Sequence, residues 1–344
     1  QQEAGPPGAP PVPCSAGEAS PVRAAADGGR ALWLLGQRGV EMDLPGGAVS
    51  CFDVPISIKP GSRAVAGSAP GEVFVLENGS SRLWRLRLAP AGAGVEATME
   101  ELTSRSEAER FRASLGSRVV ALGGSVLVAG TPGAGAHTPW LFDLARGSWA
   151  RLPEAPHPIL SSAVIASEDA VTIVGGWSKQ RSCHGHAQTL RLRPAAAWAA
   201  SRASFVPWRR PGAGCRAAGL GALVALGWME CQGEAAVGSE DFRLLRRDGA
   251  AQRARTSSSR LCRLPGRDGA IEELSRMPLA DSYEHNGEIY PIGASVVCVG
   301  RDHVQAFHPG SGAWRTWPLP RELRQDGSSS WVKHCGSWAL ACLP

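Results

Sequence analysis

From Asp27 onward, short apolar runs punctuate a polar background: ALWLL (31–35), VFVL (73–76), VLVAG (126–130), VTIVGG (171–176), ALVALG (222–227), SVVCVG (295–300) and WALACL (338–343). Each carries β-branched or leucine side chains and is bounded by Gly, Pro or Ser, which predicts buried strands. Their starts recur roughly every 40 to 70 residues, a spacing that points to the blades of a β-propeller. A helical pattern occurs only over 97–115 (ATMEELTSRSEAERFRASL), expected as an excursion between blades. No apolar run approaches the ~18 residues that a membrane-spanning helix needs.

Within each period the features keep their order. An apolar strand ends in Gly, a variable loop follows, then an alternating strand, a turn, and a Trp-bearing strand that exits near Pro. Residues 126–156 show it as VLVAG, TPGAGAHTP and WLFDLARGSWARLPEAP; residues 295–320 show it as SVVCVG, RDH and VQAFHPGSGAWRTWPLP. Asp143 and Trp149 thereby match His308 and Trp314, each pair six residues apart. Gly175-Gly176 supplies a full diglycine, where other repeats carry Ala129-Gly130, Leu226-Gly227 and Val299-Gly300. In these motifs the chain resembles the Kelch repeat family, over 118–156 and 285–320, and partly over 160–211. The resemblance implies four-stranded antiparallel blades and docking of a peptide or subunit across one rim, in some relatives as the substrate receptor of a ubiquitin-ligase adaptor.

The physical reasons for the pattern stand beside the resemblance. Strands crowded round a central channel favour small residues and Gly. Trp on an outer strand fills the widening wedge between blades, and 12 Trp spread over the repeats fit that role. A propeller with an open first blade would expose a strand edge, so the C-terminal strand is expected to close the blade begun by ALWLL, VEMDL (40–44) and VSCFDV (49–54). The expectation is a single all-β propeller over 27–344 with six blades, or seven if 331–343 starts its own. Residues 1–26 (QQEAGPPGAPPVPCSAGEASPVRAAA) hold few large apolar groups and read as a flexible Pro/Ala/Gly-rich tail. The chain begins with Gln1, which predicts processing or a longer parent.

Charge sharpens the picture. Net charge is only +5, yet Arg243, Arg246, Arg247, Arg253, Arg255, Arg260, Arg263 and Arg267 stand against Asp248 alone. They fall in a long basic insertion at about 229–270. Concentrated positive charge attracts an acidic partner. Aromatics interleaved with the arginines would favour nucleic acid, and Phe242 alone does not supply them, so the expected partner is a protein. A self-solvating Arg/Ser insertion (RARTSSSR) is the bland alternative.

Candidate chemistry is sparse. Cys183, His184 and His186 form a C-H-x-H cluster that a metal-binding enzyme could use in the channel. No nearby carboxylate or CxxC supports it, so the expectation is no metal and no cofactor. Tyr283 and Tyr290 lie on one segment and lack the matching Cys and His of a copper-radical oxidase. No G-x-S-x-G, P-loop or H-E-x-x-H occurs. Cys298 and Cys342 sit in strand-like runs as small hydrophobes, a usage that suits a reducing, intracellular compartment. Asn78-Gly79 reads as a hairpin turn rather than a glycosylation site. The functional expectation is a non-catalytic interaction module or scaffold subunit; the alternatives are the metal enzyme and an eroded structural subunit of a large assembly.

Overall fold

The computed structural model describes residues 29–44, 46–91, 94–114, 116–131, 137–160, 162–167, 169–175, 186–193, 195–204, 210–217, 221–229, 257–264, 272–276, 288–292, 295–299, 303–323 and 339–343. The strands come in groups of four along the chain. After β1 (Arg30–Asp43) and β2 (Val49–Ile58), the first group is β3 (Arg63–Ala66), β4 (Glu72–Leu76), β5 (Leu83–Ala91) and β6 (Gly94–Glu101). The second is β7 (Arg118–Leu122), β8 (Ser125–Ala129), β9 (Trp140–Asp143) and β10 (Ser148–Arg151). The third is β11 (Ala163–Ala166), β12 (Ala170–Val174), β13 (His186–Arg191) and β14 (Ala197–Ser204). Then come β15 (Arg210–Ala217), β16 (Gly221–Met229), β17 (Ser257–Leu264) and β18 (Glu272–Arg276). The last are β19 (Glu288–Ile292), β20 (Ser295–Val299), β21 (His303–His308) and β22 (Ala313–Pro318), followed by β23 (Ala339–Leu343).

Every group is an antiparallel meander whose strands pair in chain order. The leading strands β3, β7, β11, β15 and β19 neighbour one another in turn, and β23 lies between β19 and β3. They make a closed inner ring, and the sheets radiate from it as the blades of a β-propeller. Among the described residues there are six such sheets. Because β23 pairs with β1, residues 339–343 complete the N-terminal sheet and do not begin one of their own.

That closing sheet has the order β2-β1-β23. A straight strand of 14 residues would span about 45 Å. Yet the Leu44 N–H donates to the Gly29 carbonyl at 2.9 Å, and Arg30 pairs with Glu41, so β1 doubles back on itself. Its first arm, Arg30–Leu34, pairs with β23, and its second, Gly36–Met42, pairs with β2. Gly36, at φ +59°, stands at the reversal. The runs ALWLL and VEMDL are thus the two arms of one hairpin.

The core lies in the seams between sheets. On β8, Val126 and Val128 pack with Phe74, Leu76 and Leu83 of the preceding sheet, whereas Leu127 and Ala129 face Val164, Val171 and Ile173 of the next. A second strand buried on both faces reads as an unbroken apolar run. This is why VFVL, VLVA, VTIV and SVVCV are all second strands of their sheets, the place in the order that ALVALG also takes. Gly130 and Gly175 follow such strands with φ of +74° and +69°. At Gly130 a Cβ would also lie 2.5 Å from the Ile159 carbonyl oxygen, so glycine is required at that strand end.

The helical pattern over 97–115 is overruled. Its first residues belong to β6, and the remainder is the link to β7, with one 3-10 turn at Glu107–Glu109. The expected basic insertion is also shorter than 229–270, because β17 runs through it as the third strand of its sheet. Tail residues 1–26 lie outside the described residues.

Candidate functional site

Antiparallel order fixes which connections share a face. The inner strands all run the same way through the ring. The links from second to third strand therefore emerge where the inner strands begin, together with the links from one sheet to the next. The Glu77–Arg82 turn, the β1 reversal, and the described ends of the strand pairs β8–β9, β12–β13, β16–β17 and β20–β21 all belong to this face. At the two ends of 230–256, Met229 pairs directly with Ser257, so the insertion leaves and re-enters side by side.

Of the arginines singled out in the sequence, Arg243, Arg246, Arg247, Arg253, Arg255 and Arg267 lie outside the described residues. Arg260 and Arg263 are on β17, where the register sets Arg260 opposite Arg276. Arg263 reaches Glu272 at 3.0 Å on the sheet surface, so part of the predicted charge is already spoken for. Cys183 and His184 also lie outside the described residues, and His186 is the first residue of β13, paired with Ser204. Among the described residues no group of three or more His, Cys, Asp or Glu could hold a metal ion.

Two arginines that the sequence reading missed stand where inner strands begin on this face. Arg63 opens β3 and is buried, and Arg118 opens β7 with its Nε donating to the Ser162 carbonyl at 3.1 Å. A serine precedes each opening. Ser62 Oγ donates to the Lys59 carbonyl at 2.7 Å, Ser117 Oγ to that of Gly130 at 3.0 Å, and Ser162 Oγ to that of Ile159 at 2.8 Å. The signal was available in Gly61-Ser62-Arg63, Gly116-Ser117-Arg118 and Ser161-Ser162-Ala163. The acids near these positions are internally neutralised: Glu77 by Lys59 at 2.7 Å and Glu107 by Arg110 at 2.9 Å.

Glu107 is a structural lock. Its Oε2 accepts from the Trp149 backbone N–H at 2.7 Å, and its carbonyl accepts from Ser81 Oγ at 2.6 Å. Trp149 Nε1 in turn donates to the Ser81 carbonyl at 2.9 Å, tying two sheets together. Burial alone would raise the Glu107 pKa. The Trp149 N–H and the Arg110 guanidinium outweigh burial and hold the carboxyl below its ordinary value.

The tyrosine considered for radical chemistry has a structural job: Tyr290 OH donates to the Leu340 carbonyl at 3.0 Å, across the junction of β19 and β23. Tyr283 lies outside the described residues. Cys298 and Cys342 are buried, as their apolar settings predict. Gly79, at φ +83°, sits in the turn between β4 and β5 that Asn78-Gly79 signalled. No helix among the described residues is long and apolar enough to cross a membrane.

These features define an all-β propeller. No family model matches the chain, and no curated protein matches it either. Among solved structures it is similar to one titled "Structure of YjhT". The two share 12% identity over 82% of this chain and 88% of that one, with a TM-score of 0.51. At that identity the likeness is one of fold.

Proposed function

We propose that this chain is a Kelch-type propeller acting as a non-catalytic interaction module, which binds an acidic partner protein across the face where the inner strands begin. The observation that carries this reading is the pairing of Met229 with Ser257. It brings the strand ends that flank 230–256 to the face where the inner strands carrying Arg63 and Arg118 begin, which supports this reading. Propeller faces present loops from every blade on a rigid frame, which suits a broad protein footprint. Three further features support the Kelch reading: glycine at positive φ after the second strand, an outer-strand Trp, and the polar turn that precedes it.

The test is charge reversal. Replacing Arg243, Arg246, Arg247, Arg253 and Arg255 with glutamate in the full chain should weaken association with the co-purifying acidic protein at least tenfold. The wild-type affinity should fall steeply with added salt. Unchanged affinity would make the insertion a spectator and overturn the reading.

A further inference from the structure

Where β22 meets the closing sheet there is a recess of about 360 Å³, lined by Met42, Val49, Trp317, Pro318, Leu319 and Arg321 among others. Its lining side chains are apolar apart from Arg321, while polar and apolar atoms share its surface about equally. Val49, at 39% exposure, is the exposed large hydrophobic residue among those described. Arg315 lies over the Trp317 ring at 4.9 Å and Arg321 is exposed at the rim, giving the recess an aromatic and cationic character.

We propose that this recess receives the proline-rich segment 5–13 of the chain's own N-terminal stretch. The point of attachment is the first argument. The Gly29 carbonyl accepts from Leu44 N–H at 2.9 Å, so Gly29, the first described residue, lies beside the turn that carries Gly47, part of the recess wall. Reach is the second: the residues from Pro13 to Gly29 can extend up to about 50 Å. Chemistry is the third. Pro6, Pro7, Pro10, Pro11 and Pro13 favour the polyproline II conformation, which docks on aromatic-lined apolar grooves at low entropic cost. Glu3, just before the segment, matches Arg321 in charge. Tethering gives an effective concentration on the order of millimolar, so even weak docking fills the recess.

Hydrogen exchange read by mass spectrometry on the full chain tests this. Replacing Pro6, Pro7, Pro10, Pro11 and Pro13 with serine should speed amide exchange in 313–323 and 42–50 at least threefold and leave other sheets unchanged. Val49→Asp, at an exposed position, should do the same without loss of fold. A synthetic peptide of residues 3–13 should slow exchange in the serine variant but not in the intact chain. Equal exchange in variant and intact chain, or equal protection of both by the peptide, would overturn the proposal. Protection that disappears on hundredfold dilution would overturn it too, by assigning the recess to a second copy.

Discussion

Glu107 shows how one carboxylate can set the geometry of a seam. Its folded pKa is lowered, so the stability it contributes is fully present above the unfolded value. That stability is lost as pH falls through the lower folded one. Glu107→Gln keeps the shape but weakens the bonds to Trp149 and Arg110. We expect a loss of about 1–2 kcal/mol at pH 7 in urea unfolding, shrinking towards zero well below pH 4.5, the ordinary value. A pH-independent difference would contradict the assignment. Some residue roles were legible in the sequence and others were not. Asp143 accepts from the N–H groups of Ala145 and Arg146, and His308 Nδ1 accepts from that of Ser311, so the predicted equivalence of the two turns has a shared hydrogen-bonding cause. Glu107 gave no signal, because its partner Trp149 is 42 residues away and no local pattern announces such a bond.

At the scale of elements, the outer-strand tryptophans act as rivets. Trp149 Nε1 bonds to Ser81, Trp198 Nε1 to the Pro153 carbonyl, and Trp314 Nε1 to Ser275 Oγ, each reaching back to residues ahead of its own sheet or link. Trp149→Phe should keep the ring contacts with Phe111 and Phe142 but leave the Ser81 carbonyl unbonded. We expect a loss of about 1–3 kcal/mol by urea unfolding, against under ~0.5 kcal/mol if the bond is incidental. The second strands were the readable elements, since burial on both faces writes an uninterrupted apolar run. The inner strands were not. Arg63–Ala66 and Ala163–Ala166 are four residues each, too short and too rich in small side chains to stand out. β17 was hidden for another reason: its SSSR start resembles the loop chemistry of the stretch before it, and only pairing with β16 makes it a strand.

At the scale of the whole molecule, ring closure depends on the two ends of the chain meeting. Ala31 lies opposite Cys342 in that pairing, and both are buried in one cluster. Ala31→Cys should form a disulfide with Cys342 under mild oxidation, visible as a linked peptide in non-reducing mass mapping. The link should add up to about 5 kcal/mol because it closes nearly the whole chain. Free thiols at both positions would contradict the register. The sequence foretold this closure from the strand-edge argument alone. It did not reveal which connections share a face, because that follows from strand direction round the ring and not from any motif.

If the shared face is a docking surface, a partner should travel with the protein. The direct measurement is gentle purification of the full chain from its native source at low salt, followed by native mass spectrometry. The expected result is an acidic protein in fixed ratio with this chain, released as salt is raised. A lone chain, or a partner indifferent to salt, would contradict it.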